Sequence, residues 1–149
     1  MPMERRTAIV QEAIRWIGTP YVHGQHSIHG CDCIGLCIGI GKNVGALSKN
    51  YRPKPYPQDW HLHNSRERMH EGILEAGGIE VTGNIWLPGD ILLMEHGKTR
   101  SHAAIIIAID PFIEIVESSI TYQKVTRNRP HPSVMKRRAR AAYLFPGVI

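Results

Sequence analysis

The stretch GCDCIGLCIG, residues 30–39, decides how this chain folds. It begins as a short polar turn and continues, from Cys33 onward, as a run that is apolar on almost every side of a helix. A helix of that composition is typical of a protein core. Cys33 would stand at its N-terminus, where unpaired backbone N–H groups and the helix dipole favour an anion and ease the loss of a thiol proton. The stretch therefore predicts a buried helix that presents a candidate nucleophile.

The three cysteines of this stretch admit other interpretations. A cysteine in an apolar run is often an inert small hydrophobic residue, and Cys37, one turn further along, fits that description better than Cys33. Cys31 lies in the turn, where its thiol can be exposed. With His29 the cysteines also allow a zinc site, but their C-x-C-x3-C spacing differs from the C-x2-C pattern of common zinc knuckles. We therefore predict no metal.

Length and composition limit the kind of protein. The chain has 149 residues and a formal net charge of +5. This length suits one domain with a core of its own, which we expect to be residues 1–149. Three cysteines within seven positions cannot build a disulfide framework, which favours a reducing compartment. We expect synthesis in the cytoplasm, because the first residues lack an apolar signal region and no stretch approaches a membrane span.

The excess positive charge gathers near the end of the sequence, between Lys124 and Arg140. Aromatic residues are not interleaved with these charges as they are in a nucleic-acid groove, so we expect a solvated basic face. A polyanionic partner stays open, but we predict neither a nucleic-acid nor a membrane partner.

Apolar spacing places helices first and strands after. An amphipathic helix is predicted from Arg5 to Ile17, and its apolar residues are Ile9, Val10, Ala13, Ile14 and Ile17. A Pro-rich covering loop occupies Tyr51–Trp60, and Asn64 with Glu67 resembles a capping box for a helix through Ala76. The predicted strands are Ile91–Met94, Ala103–Ile109, Ile113–Ser118, Tyr122–Thr126 and Ala141–Phe145. This order predicts an α+β fold in which N-terminal helices, including the nucleophile helix, pack on an antiparallel sheet.

A cysteine nucleophile needs a base, and His102 is the candidate because it stands at the head of a predicted strand. It shares a strand face with Ala104, Ile106 and Ala108, and the small residues leave room for the Cys33 helix to pack closely. A lone histidine at a strand end is more often structural. A third polar group nearby is what favours a catalytic role.

Hairpin geometry nominates that third group. If Asp110–Pro111 forms the middle of an even-length loop, Glu117 lies opposite Ala104 and one diagonal step from His102 on the same face. Its carboxylate would then accept a hydrogen bond from one imidazole nitrogen and leave the other to face the thiol. An odd-length loop would instead place Ser118 on that face.

The sequence resembles the NlpC-type bacterial cell-wall cysteine peptidases. The first matching block is Thr7–Gly39, and the second consists of Pro88–Leu92 and Ser101–Ile105. The Pro-rich middle and the ending Ala141–Gly147 are most similar to the phage-tail and gene-transfer-agent branch. The resemblance covers nearly the whole chain.

The resemblance implies a papain-like α+β fold and a thiol hydrolase that cleaves peptide bonds in the stem peptides of peptidoglycan. The motif places the nucleophile at Cys33 and the base at His102, and Glu117 is our third candidate catalytic residue. Tyr21 would shape the oxyanion site together with the Cys33 N–H. Asp32 would orient a substrate amine or the turn itself, and a helix N-cap is the plain structural role for an aspartate there. No metal or organic cofactor is implied.

The chain departs from the family pattern in three places. Ile34 stands where a serine commonly follows the cysteine, His23 replaces an aromatic residue, and the third residue, usually His, Asn or Gln, is Glu117. The alternative these departures favour is a phage tail-assembly protein that keeps the fold with weak or no activity. The expected partners are peptidoglycan peptides and phage tail proteins, with the protein tail-associated and acting at the bacterial cell wall.

Overall fold

The structure, a computed structural model, describes residues 2–56, 68–83, 85–96 and 99–146. Its helices are α1 (Pro2–Arg15), α2 (Cys33–Asn43), α3 (Arg68–Glu75) and α4 (Pro132–Arg138). Its strands are β1 (His26–Ser27), β2 (Gly30–Cys31), β3 (Ile79–Glu80), β4 (Ile91–His96), β5 (Thr99–Ala108), β6 (Glu114–Ser119), β7 (Lys124–Asn128) and β8 (Ala139–Leu144).

Six of the strands form an antiparallel sheet in the order β3-β8-β4-β5-β6-β7. Strands β4 to β7 follow one another along the chain, and β8 returns to pair between β3 and β4. β1 and β2 make a small hairpin directly before α2. The predicted fold class, helices packed on an antiparallel sheet with the nucleophile helix among them, is confirmed.

The first helix buries only part of the predicted face. Ile9 and Ala13 are buried as predicted, and so is Trp16, whereas Ile14 and Ile17 are 41% and 40% exposed. The buried face is rotated because Trp16, in the turn after α1, packs against Gly39 of α2. A Cβ atom at Gly39 would lie 2.1 Å from the Trp16 ring. The absence of a side chain there lets α1 and α2 approach closely.

A partly buried ion pair ties α1 to the turn before β4. The Asp90 carboxylate is 1% exposed and accepts hydrogen bonds from Arg6 at 2.8 Å and from the Leu87 N–H at 2.8 Å. Gly89 has φ of +96°, a left-handed conformation that favours glycine, and a Cβ there would lie 3.1 Å from the Arg6 Cα. The Pro-Gly-Asp turn thus fixes the helical layer against the sheet.

The two faces of the sheet carry different layers. Ala103 and Ile105 of β5 share the main core with Leu36 of α2. Ala104, which points the other way, belongs to a second cluster that includes Met135 of α4. The prediction that the Cys33 helix packs on the face of Ala104 is therefore wrong. Side chains alternate along a strand, and α2 lies on the opposite face.

The sequence pattern does not predict helix α4, because the basic residues there indicate a solvated stretch. His131 caps it, with its Nδ1 accepting from the Ser133 N–H at 3.1 Å, and Pro132 lies in the first turn, where a missing N–H costs nothing.

α3 ends before Gly77, whose φ of +98° fits a glycine stop. The predicted capping box at Asn64 and Glu67 and the end of the Pro-rich loop lie outside the described residues. Within the described ranges, no helix combines the length and apolar character needed to cross a membrane.

Candidate active site

Cys33 is the first residue of α2, directly after the capping residue Asp32. The Asp32 Oδ1 accepts from the Gly35 N–H at 2.7 Å, which satisfies one of the N–H groups that the first helical turn leaves unpaired. Cys33 is partly buried and packs against the main core. Its thiol therefore lies at the positive end of the helix dipole, as the sequence predicts.

The carboxylate of Asp32 is buried, with 2% exposure. Besides the bond to Gly35, its Oδ2 accepts from the Gly24 N–H at 2.8 Å and from the Tyr56 hydroxyl at 2.6 Å. Three hydrogen bonds from three segments make Asp32 the N-cap and the junction of the turn before α2. Its contact with a substrate amine stays a prediction.

Tyr56 is a site residue that sequence reasoning missed. Burial, followed by its hydrogen bond to Asp32, raises the pKa of Tyr56 above its ordinary value, so the phenol stays protonated and donates. Its carbonyl oxygen lies 3.0 Å from His23 Nε2, and the two rings meet edge to face at 5.2 Å. The only available signal was an aromatic residue in a Pro-rich loop, and no periodicity points to Asp32.

His102 of β5 and Glu117 of β6 are hydrogen-bonded, with 2.7 Å between Nε2 and Oε1. Each side chain is 18% exposed. The β5–β6 pairing runs from Ile105–Val116 to Ala108–Glu114, so both residues lie beyond its end, where their side chains reach each other. The His102 imidazole also interacts with the Cys33 thiol. The structure thus brings together the three residues that the sequence nominated.

The hairpin between β5 and β6 differs from the predicted one. Ala108 pairs with Glu114, which leaves an odd-length loop of five residues around Asp110–Pro111. A β-bulge in β5, ahead of Ala108, adds one residue to that strand and cancels the one-residue shift in register that the odd-length loop causes. Ile105 therefore pairs with Val116, as in the predicted register. The even-length loop was wrong, although the register beyond the bulge is the one it implied.

Because of this compensation, Glu117 rather than Ser118 meets His102. Ser118 is buried on the other face, where its hydroxyl donates to the Cys31 carbonyl oxygen at 2.8 Å. That bond ties β6 to the strand that precedes the nucleophile. Of these two adjacent residues of β6, Glu117 therefore bonds to the imidazole of His102, and Ser118 bonds to the turn that carries Cys33.

The surroundings of His102 favour its charged form. Burial alone lowers its pKa, but hydrogen bonds to Cys33 and Glu117 and the charges of both outweigh burial and raise the pKa of His102 from 6.5 to about 9. Burial raises the pKa of Glu117, yet the bonds from His102 and Asn128 bring it below its ordinary value. Since Nε2 faces Glu117, Nδ1 is the ring nitrogen left for the thiol.

The other two cysteines lie in apolar surroundings. Cys31 is fully buried in β2, and burial raises its pKa to about 12. Burial likewise raises the pKa of Cys37 above its ordinary value. Exposure of Cys31, which its place in the turn left open, does not occur. Among the residues that the structure describes, no three His, Cys, Asp or Glu side chains converge as a metal site.

Tyr21 lies beside β2, where it forms a bridge with Cys31, and its N–H donates to the Gln123 carbonyl oxygen at 3.0 Å. Burial, followed by the negative charges of Cys33 and Asp32, raises the pKa of Tyr21 to about 12. The phenol therefore stays protonated at neutral pH. It is an O–H donor close enough to Cys33 to sense its charge.

A cavity of about 310 Å³ opens along α2. Ile34 and Tyr56 line it near the nucleophile, and Cys37, Met69 and Phe145 line it further along. The lining is largely apolar and suits an apolar group, and neither Cys33 nor His102 is among the described residues that form it. Ile34, which stands where a serine is common in the resembled family, is part of that lining.

A known protein family matches most of this sequence, and several solved structures share its fold. A model described as the NlpC/P60 family matches residues 18–142. Similar solved structures include the NlpC/p60 domain of peptidoglycan hydrolase SagA, at 20% identity and a TM-score of 0.59, covering 92% of this chain and 96% of that one. An NlpC/P60 family protein from Bacillus cereus has 19% identity and a TM-score of 0.62, covering 94% and 40%.

The peptidoglycan hydrolase RipB from Mycobacterium tuberculosis has 16% identity and a TM-score of 0.60, with 96% of this chain and 65% of that one covered. This chain spans less than two thirds of the Bacillus and Mycobacterium chains. At these identities the likeness is one of fold. No curated protein matches the sequence.

Proposed function

The chain belongs to the NlpC/P60 family, and from that premise we propose that it is a cysteine peptidase that hydrolyses peptide bonds in the stem peptides of peptidoglycan. The observation that carries the proposal is the His102–Glu117 hydrogen bond of 2.7 Å beside the thiol of Cys33 at the start of α2. A thiol, an imidazole and a carboxylate in this arrangement are suited to nucleophilic attack on an amide.

In the proposed reaction, Cys33 and His102 act as a thiolate–imidazolium pair. The sulfur attacks the carbonyl carbon of the stem peptide, and the imidazolium donates its proton to the leaving amine nitrogen. Water then attacks the thioester with the neutral imidazole as base, releasing the acid and restoring the pair. Glu117 supports both steps, because its carboxylate orients the ring and stabilises the imidazolium.

The tetrahedral oxyanion needs donors that stand in place before the reaction. We assign these to the backbone N–H of Cys33, at the N-terminus of α2, and to the hydroxyl of Tyr21. The support for Tyr21 is its pKa of about 12, which keeps the phenol a donor, and the influence of the Cys33 charge on that pKa. Asp32 and Tyr56 support the site by fixing the turn that presents the thiol.

The test is hydrolysis of purified peptidoglycan by Cys33→Ala, with release of peptide amines measured by mass spectrometry. The variant should fold and lose hydrolysis. The matched control is Cys37→Ala, on the same helix one turn further along, which should retain it. Full activity of Cys33→Ala would refute the nucleophile assignment.

We also propose that the protein is made in the cytoplasm, is carried in a phage tail and meets the cell wall during injection. Its support is the sequence alone: the Pro-rich segment Tyr51–Trp60 and the ending Ala141–Gly147. The alternative function is that of a tail-assembly protein of the same fold with weak or no activity. It is favoured by Ile34, which stands where a serine is common, and by the carboxylate of Glu117 as the third candidate catalytic residue. It predicts a stable complex with tail proteins and an unreactive Cys33, so tail pull-down combined with thiol labelling separates the two functions.

A further inference from the structure

The second oxygen of Glu117 has a partner of its own. Asn128 Nδ2 lies 2.5 Å from Glu117 Oε2 and 2.9 Å from Thr126 Oγ1. An amide nitrogen carries two N–H groups, and here each has an acceptor. The reverse orientation would turn the Asn128 carbonyl oxygen toward a carboxylate. The contacts therefore fix which way the amide points.

The sheet places this group by register. Thr126 of β7 stands directly opposite Glu117 of β6, and Asn128 lies two residues further along on the same face. One carboxylate oxygen is thus held from β5 by His102 and the other from β7 by Asn128. With donors on both sides, the Glu117 carboxylate has one orientation in which both bonds are made.

We propose that Asn128, held in turn by Thr126, is a positioning residue that fixes the carboxylate of Glu117 and through it the imidazole of His102. This inference rests on the proposed function. An amide suits the place because it donates without competing for a proton. Among the described residues, the positive charges of His102 from β5 and Arg138 from α4 act on Glu117, and both favour the ionised carboxylate that Asn128 orients.

The experiment compares three variants. Asn128→Leu keeps the size of the side chain and removes the donor, and Thr126→Val keeps the shape and removes the acceptor that orients the amide. Arg127→Ala is the matched control, because Arg127 lies between Thr126 and Asn128 on β7, points to the other face of the sheet and is 48% exposed. Unfolding by urea first establishes that each variant is folded.

Two readouts separate positioning from a merely structural role. For peptidoglycan hydrolysis, Asn128→Leu should lower kcat about tenfold or more with KM unchanged, and Thr126→Val should lower it about two- to fivefold. For alkylation of Cys33 by iodoacetamide, the rate should have an upper inflection near pH 9, where His102 loses its proton. In Asn128→Leu this inflection should fall by about 0.5 to 1 pH unit, because a loosely held carboxylate stabilises the imidazolium less.

Alkylation needs no substrate, so the two proposals can fail separately. If the wild-type protein hydrolyses no peptidoglycan but the inflection falls in Asn128→Leu and stays in Arg127→Ala, the proposed function fails and the positioning role stands. If the inflection and kcat of folded Asn128→Leu match the wild type, or if Arg127→Ala changes them equally, the positioning role is overturned.

Discussion

Replacing Glu117 by Gln removes one charge without changing the size of the side chain, and the structure predicts that the amide cannot do the work of the carboxylate. Glu117 accepts from His102 on one oxygen and from Asn128 on the other. A Gln amide has one acceptor and one donor end. With its oxygen toward His102 it points N–H groups at the Asn128 amide, and with its nitrogen toward His102 it forces the ring proton onto Nδ1.

The size of the effect follows from the environment of His102. The rise of its pKa from 6.5 to about 9 corresponds to about 3 kcal/mol in favour of the imidazolium, shared between Cys33 and Glu117. Loss of the carboxylate charge should therefore lower the pKa of His102 by about 1 unit. A hydrogen bond to a charged group contributes about 1.5–3 kcal/mol, so kcat should fall about 10- to 100-fold in Glu117→Gln.

The assay is the pH–rate profile of peptidoglycan hydrolysis, together with the same profile for alkylation of Cys33. In Glu117→Gln the alkaline limb should move down by about 1 pH unit while KM stays unchanged. The double variant Glu117→Gln/Asn128→Asp moves the carboxylate from position 117 to position 128. The oxygen of the new glutamine can then accept from His102, and its N–H groups can donate to the new aspartate carboxylate. It should recover part of the lost kcat. An unaltered pH profile and kcat in Glu117→Gln would refute the reasoning.

Three further predictions concern stability. Asp90→Asn should destabilise the fold by about 3–5 kcal/mol, measured by urea unfolding, because it leaves Arg6, which is 12% exposed, without its buried counter-charge. Gly39→Ala should cost about 1–3 kcal/mol in the same assay, since its Cβ would lie 2.1 Å from the Trp16 ring. The stability that His102 contributes should be complete below pH 6.5 and be lost as pH rises through about 9, because its folded pKa lies above the unfolded value.

Each of these has a control in the chain. Arg140→Ala removes an ion pair with Glu95 whose side chains are 38% and 43% exposed, and should cost less than about 1 kcal/mol. Gly72→Ala adds a Cβ that meets nothing within 4 Å in α3 and should stabilise by about 0.5–1 kcal/mol. In His102→Ala the loss of stability between pH 6.5 and 9 should disappear. Equal effects in a variant and its control would contradict the burial argument.

The nucleophile helix was predictable because its determinants are local. A run that is apolar on all sides and starts after Asp32 specifies a buried helix, an N-cap and a cysteine at the first position without any distant contact. The same holds for the turn at Gly89, whose φ of +96° favours glycine. Tyr56 was not predictable, since its hydroxyl reaches Asp32 from a loop without periodicity.

The partner residues depended on register, which sequence specifies less firmly. The prediction reached Glu117 through an even-length loop, whereas the structure reaches it through an odd-length loop and a bulge before Ala108. Nothing in the alternation of β5 signals that bulge, because Ile107 is as apolar as its neighbours. Asn128 was missed for the same reason: its place next to Glu117 follows from the β6–β7 pairing.

The most direct test of the account is the pH dependence of iodoacetamide labelling, with each modified cysteine located by mass spectrometry and His102→Ala examined in parallel. We predict that Cys33 labels rapidly well below pH 8, that Cys31 and Cys37 stay unlabelled in the folded protein, and that the rate at Cys33 drops in His102→Ala. If all three thiols label slowly and alike, with an ordinary profile centred at about pH 8.5, there is no activated thiolate–imidazolium pair, and the peptidase assignment is contradicted.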